Sequence, residues 1–402
     1  MRQWEAQGKC QNIRGRPDIT SRRKVVYFAY RGNMKEETIQ QTNTRPEPVP
    51  GTAAADYEER RAELVAAVNR ALDADQLVDS LTGGNPREVM YDNHRHHAEF
   101  ISNVLRFSQF ELLDRVVPWV YNSYHSRGFS YDYFSRALGA WKDAVRAILP
   151  PRSQPPVLAV YDWMLARHGE NIARAGDAAV LPPAAEERWK APRAAWLAAA
   201  LAGDSRAARS AAEAAVHGLD DMKAFYLEVL QPALREVGRL WQTGEVSVAQ
   251  EHLATSIAGR TMAAFYVQFM DRKPTRGAAV ITSAPEEFHE VGARMVADFL
   301  EIDGWDTAFL GANTPVEEVM KLLKARKPAI LGISVMMPFN LAKAERLIEA
   351  VRAEPQLSGV KIMVGGGAVI LAPEIKERIK ADGWAADAAQ AVQLAAGWSE
   401  AK

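Results

Sequence analysis

The sequence predicts a multidomain protein, α-helical over its first two thirds and α/β over its last third. Three observations carry that division. Apolar residues recur at helical spacing from Ala53 to about Ala175, and again over 188–270. After residue 275, short apolar runs alternate with amphipathic stretches, the pattern of a doubly wound parallel sheet. Proline- and glycine-bearing breaks separate the blocks: TNTRPEPVPG (42–51), GDAAVLPPAAEE (176–187) and DRKPTRG (271–277).

Composition narrows the function classes. Of 402 residues, 48% are hydrophobic and 25% charged, enough apolar material for two or three cores. The net charge of −1 gives no global field toward nucleic acid or a membrane surface. The longest apolar runs, such as AAWLAAALAG (194–203), fall short of a membrane span, and the N-terminus lacks the layout of a secretory signal. The single cysteine, Cys10, excludes a disulfide framework and a thiolate metal site. A cytoplasmic protein is expected.

Residues 1–52 are polar, basic and then proline-rich, and are expected to form a disordered tail, with Met34 a plausible alternative start. Residues 53–180 form an aromatic-rich helical domain. Phe134, Leu138, Trp141, Val145 and Ile148 step by four and three along one face, and 14 of the chain's 34 aromatic residues lie between Tyr91 and Trp163. These rings suit a small hydrophobic core or a pocket for a flat ligand. His94-Arg95-His96-His97 is either a solvated helix turn or a set of groups for an acidic ligand. Residues 184–272 hold about four Ala- and Leu-rich helices, including 221–241 and 246–270. Over 275–402, GAAVITSA, WDTAFLGA, PAILGISV and GVKIMVGG are expected as buried strands. Helices fill the gaps, among them LAPEIKERIKADG (371–383).

In such sheets ligands bind beyond the carboxyl ends of the strands. There the sequence places Glu287 and His289, in a loop leading to a helix that opens at about Gly292. By itself this histidine is open to three readings: catalytic base, metal ligand or helix cap. The first loop has no glycine-rich dinucleotide fingerprint; the glycines follow the fourth strand instead, where they would let a bulky group approach the backbone.

Glu287-x-His289-x-x-Gly292, then Ser334-x-Met336, then Gly365-Gly366 resembles the cobalamin-binding domain shared by methionine synthase, corrinoid carrier proteins and mutases. Met336 stands where that motif often has leucine. The resemblance implies a Rossmann-like, flavodoxin-like domain in which His289 is the axial cobalt ligand. Glu287 would support its imidazole, with the cofactor's tail in the groove by Ser334 and the glycines. Trp241, nine residues, then Glu251-His252 resembles the signature of adenosylcobalamin-dependent photoreceptors, among them light-dependent repressors of carotenoid genes. This implies that 184–272 is a four-helix cap placing Trp241, Val248 and Glu251 over the upper face of the corrin.

Two departures matter. Nothing in 1–175 looks like a winged helix-turn-helix, so direct DNA binding is not expected. The family's histidine after the tryptophan is replaced by Gln242, which leaves His252 the nearest candidate ligand in sequence after illumination. The aromatic domain resembles that of photocobilins in architecture only, which implies a non-covalent bilin such as biliverdin. The resulting expectation is a signalling photoreceptor, not an enzyme, that changes oligomeric state with light and acts through an unidentified protein partner. The alternatives are a corrinoid carrier serving a separate methyltransferase and a cobalamin-level sensor; a mutase would need a catalytic barrel upstream.

Overall fold

A computed structural model describes residues 45–175, 186–270 and 273–400, which lie within one compact unit. The predicted tail falls outside these residues up to residue 44, as do Cys10 and Met34. Its last part is not a free tail. Val49 is buried in the helical core and its amide donates to Ser108 Oγ at 3.0 Å, while Arg45 pairs with Glu111. Prolines 46, 48 and 50 remove three amide donors, so an extended strap costs little, and helix starts at Gly51.

The helical domain comprises α1 (Gly51–Glu59), α2 (Arg61–Asp73), α3 (Val78–Leu81), α4 (Arg87–Phe107), α5 (Phe110–His125), α6 (Asp132–Ile148), α7 (Gln154–Ala166) and α8 (His168–Ala175). Phe134, Leu138, Trp141 and Val145 of α6 are buried together, as their spacing predicts. Tyr121 stacks on Phe134 at 3.8 Å, and Trp141 on Tyr161 at 6.2 Å. Most of the rings are core.

The second block holds α9 (Glu187–Leu201), α10 (Ser205–Glu213), α11 (Leu219–Phe225), α12 (Gln231–Gln242) and α13 (Val248–Phe269). A single π-turn, Tyr226–Leu230, joins α11 to α12 without a break in the helix. Trp196, Phe225, Tyr226 and Phe265 share one core, to which Met295 and Phe299 of the sheet domain contribute. At that seam the Tyr226 hydroxyl donates to Asp298 Oδ2 at 2.9 Å, and burial pushes the Asp298 carboxyl up to about 6.

The last domain alternates strand and helix: β1 (Ala278–Ser283), α14 (Val291–Ile302), β2 (Asp306–Phe309), α15 (Val316–Arg326), β3 (Ile330–Ser334), α16 (Leu341–Ala353), β4 (Lys361–Gly365), α17 (Gly367–Leu371), α18 (Ile375–Arg378), β5 (Gly383–Ala385) and α19 (Ala388–Glu400). The sheet is parallel with order β2-β1-β3-β4-β5, the flavodoxin-like arrangement. Two expectations are corrected. LAPEIKERIKADG does not form one helix: Pro373 lacks the amide a continuous helix needs, so α17 and α18 are separate short turns. The fifth strand, only three residues long, escaped the pattern.

Candidate functional site

The order of the strands reverses between β1 and β3, and their ends are level: Ser283 is in register with Ser334, and Ser334 with Gly365. Ligands of doubly wound sheets bind at this switch point. The loop from β1 to α14 crosses it. Glu286 adopts a left-handed conformation (φ 62°), with its amide held by Asn313 Oδ1 at 3.1 Å, and this turn sends Glu287 inward.

Glu287 is 1% exposed and anchors the loop. Its Oε2 accepts from the amides of Met336 (3.1 Å) and Met337 (2.9 Å) and from Asn340 Nδ2 (3.0 Å). Its Oε1 accepts from the His289 amide (3.2 Å) and lies 2.5 Å from His289 Nδ1. Burial pushes this carboxyl up, but the bonds from His289, Met337 and Asn340 outweigh it and hold Glu287 below the ordinary carboxylate range. The same bond raises His289 above the ordinary imidazole range against the effect of its burial, and the Glu251 carboxylate of α13 adds to it. With Nδ1 bound to a carboxylate, the ring is oriented, and Nε2 has no hydrogen-bond partner among the described residues on a side chain 55% exposed. Among the described residues no group of three or more His, Cys, Asp or Glu converges, so His289 stands as a lone donor.

The surroundings are open and apolar. Phe288 is 71% exposed and Met336 is also exposed, unusual for such side chains unless something covers them. Gly292, at the start of α14, has nothing within 4 Å of where a Cβ would lie, and among the described residues the Ser334 hydroxyl takes no hydrogen-bond partner. The later glycines also have a packing role. A Cβ at Gly366 (φ 92°) would lie 2.5 Å from Val335 O, one at Gly365 2.9 Å from Ala385 O, and one at Gly367 2.7 Å from Met336 Sδ. The protein's own packing needs these glycines, whatever ligand comes near.

The opposite wall is the start of α13, fixed by a capping box between Ser247 and Gln250. Val248 and Glu251 share its outer face, with Val248 49% exposed. Glu251 accepts from Thr255 Oγ1 at 3.0 Å and pairs with His252 Nδ1 at 2.5 Å; His252 itself is 74% exposed. Trp241, half-buried at the end of α12, is clasped by the helical domain. Arg127 lies 4.2 Å over its ring and donates to its carbonyl at 2.8 Å, and Trp119 packs 6.3 Å away. The neighbouring Gln242 is buried with its Nε2 unpartnered.

The histidine cluster is solvated only in part: Arg95 and His96 are exposed, whereas His94 and His97 turn inward. His94 is buried, lying 2.6 Å from Asn69 Oδ1 through Nδ1 and accepting from the Tyr133 hydroxyl at 2.9 Å through Nε2, which suits a neutral ring. His97 packs on Trp141 and Tyr161 with its Nε2 shut from solvent and unpartnered, and His96 stacks on Phe339 of the sheet domain. The spacing of Met90, His94, Ala98, Ile101 and Leu105 along α4, all buried, was the available signal. Asn340 and Asn103, both buried beside the site, carry no spacing signal and were missed.

Comparison with known proteins agrees with this geometry. Residues 277–393 match the B12 binding domain, and residues 193–266 match a second B12 binding domain model. The chain is 30% identical over 195 residues to the HTH-type transcriptional repressor CarH of Myxococcus xanthus, covering 48% of this chain and 62% of that one, so it spans less than two thirds of the repressor. It is 25% identical over 168 residues to dimethylamine corrinoid protein 2 of Methanosarcina mazei, covering 41% of this chain and 78% of that one. Among solved structures, the monomethylamine corrinoid protein of Methanosarcina barkeri aligns with 24% identity and a TM-score of 0.44, covering 52% of this chain and 97% of that one. Residues 193–266 and 277–393 thus carry B12 binding domain matches, and the donor set fits cobalamin: one oriented imidazole, an open glycine beside it and an exposed apolar rim. No helix of the described residues is long and apolar enough to cross a membrane.

Proposed function

We propose that this protein is an adenosylcobalamin-dependent light sensor, a signalling protein rather than an enzyme. When bound, adenosylcobalamin supplies a cobalt–carbon bond that light can break. His289 would hold the cobalt through Nε2, with Glu287 fixing the ring and raising its basicity. Helices α9–α13 would act as the four-helix cap, with Trp241, Val248 and Glu251 around the adenosyl group and His252 at the rim. Ser334, Gly292 and the turn at Gly365 and Gly366 would border the cofactor's tail. The single observation that carries the sensor reading is the hold on Trp241. A methyl carrier must bare its upper face to a separate methyltransferase, whereas here Arg127 and Trp119 of another domain clasp that side. Release of the adenosyl group would remove what separates α13 from the β1–α14 loop and let the cap move, changing self-association of a homo-oligomer and contact with a protein partner. Absorption spectra of the loaded protein before and after green light test this: a light-driven change is expected, and a photostable spectrum that responds only to methyl donors would establish the carrier.

The carrier reading draws on the likeness to the dimethylamine corrinoid protein. A non-covalent bilin in the helical domain draws on one observation, the unpartnered Nε2 of His97 among Trp141 and Tyr161. A red absorption band after loading with biliverdin is the expected sign, and its absence would remove the bilin.

A further inference from the structure

Helix α16 begins where the turn Pro338–Asn340 ends, and Asn340 occupies its N-cap position. Asparagine is among the best capping residues, because its side-chain oxygen can accept from an amide of the first turn. Here it makes no such bond. Its Oδ1 is left buried without a partner, while its Nδ2 donates to Glu287 Oε2 at 3.0 Å and to Glu286 O at 3.4 Å, beneath the loop that carries His289.

The cap comes from another domain. Asn103 of α4, also buried, accepts from the amide of Ala342, the second residue of α16, at 2.8 Å. Its Nδ2 donates to Phe339 O at 3.0 Å and to Glu99 O of its own helix at 2.8 Å, so the hydrogen-bonding groups of its amide are engaged. Three buried polar side chains therefore stand in series, Asn103, Asn340 and Glu287, ending at the imidazole. An unpaired buried donor or acceptor is costly, so the series is coupled: whichever asparagine caps α16 decides what supports Glu287.

We propose that Asn103 is a positioning residue for the axial ligand, capping α16 in trans so that Asn340 is free to hold Glu287 and, through it, His289. The helical domain thereby sets how firmly the imidazole is presented. The inference rests on the reading of His289 as the cobalt ligand. In Asn103→Ala, Asn340 should turn back to cap its own helix, and Glu287 should lose that bond.

The test uses the full chain loaded with adenosylcobalamin, with Asn103→Ala, Asn103→Asp, Arg106→Ala and His289→Ala. Arg106 pairs with Glu345 at 2.5 Å across the same interface but does not touch the turn. Asn103→Ala should move part of the spectrum toward that of His289→Ala and, in cofactor-free protein, speed exchange of the Met336 and Met337 amides about fivefold. Asn103→Asp keeps an acceptor for the Ala342 amide and should restore both readouts, whereas Arg106→Ala should change neither. A wild-type spectrum and exchange rate in Asn103→Ala would overturn the proposal. So would a loss in Asn103→Asp equal to that in Asn103→Ala, or an equal shift in Arg106→Ala. If His289→Ala and the wild-type chain give the same spectrum, the ligation reading fails, while amide exchange still decides the capping.

Discussion

The two walls of the crevice are built on opposite principles. Below, Glu287 is sealed in the sheet domain, with five hydrogen bonds from amides, Asn340 and His289, and the ring it holds is exposed. Above, Val248 and His252 stand largely exposed, and Glu251 is satisfied only by its neighbours on the same helix. The polar groups of the lower wall are satisfied without a ligand, while both walls leave apolar surface for one to cover: Phe288 and Met336 below, Val248 above. A preorganised ligand loses little freedom on binding metal, and a wall finished by its ligand can respond when the ligand changes.

The largest effect should come from removing the anchor of the lower wall. Glu287→Ala takes the acceptor from three backbone amides and leaves Asn340 Nδ2 only its 3.4 Å contact to Glu286 O, at roughly 3–5 kcal/mol together. Thermal unfolding should fall markedly and the axial-ligand spectrum should vanish; an unchanged melting temperature would break the contrast between the walls. Acid comes next, acting on the domain that touches both. Burial lowers His94 to about 4 and His97 to about 3, so both are neutral when folded. The unfolded chain takes up their protons near pH 6.5, so this stability is present above 6.5 and is lost as pH falls below it. The loss is about 1.4 kcal/mol per histidine per pH unit, at most roughly 4 kcal/mol by pH 5. Denaturant titrations at pH 7.5 and 5 measure it, and a helical domain equally stable at both would refute it.

His289→Ala should keep the fold, because its side chain lies at the surface, yet lose the axial signature and bind cobalamin about 10–100-fold more weakly. An unchanged spectrum would end the assignment. The smallest effect belongs to the upper wall. Trp241→Ala and Glu251→Ala should each weaken adenosylcobalamin about five- to tenfold more than methylcobalamin, the scale of one hydrogen bond or ring contact. Equal losses for both cofactors, measured by competition, would favour the carrier.

What could be read from the sequence follows from these physical differences. The sheet was legible because strands buried on both faces are continuous apolar runs, and β5 was not because Gly383–Ala385 is too short to show one. The Glu287–His289 pair was legible because the imidazole, its carboxylate and Gly292 lie within six residues of one loop. Asn103 was not, because its partners in the sheet domain lie more than 230 residues away and a buried asparagine looks like any helical asparagine. The histidines of α4 misled for a related reason. Their polarity suggested either solvent or an acidic ligand, whereas the apolar spacing around them placed two of them in the core.

The π-turn Tyr226–Leu230 carries a consequence for aim. Each residue advances a helix by about 100°, so the extra residue of a π-turn rotates everything downstream relative to everything upstream. Trp241 lies about three turns beyond it and inherits that rotation. The bearing of the indole toward Arg127 and Trp119 is thus dialled at a distant pivot, where the Tyr226 hydroxyl meets Asp298. Relaxing that pivot to ordinary α-helix would swing the indole sideways around the helix axis, not lift it from the crevice.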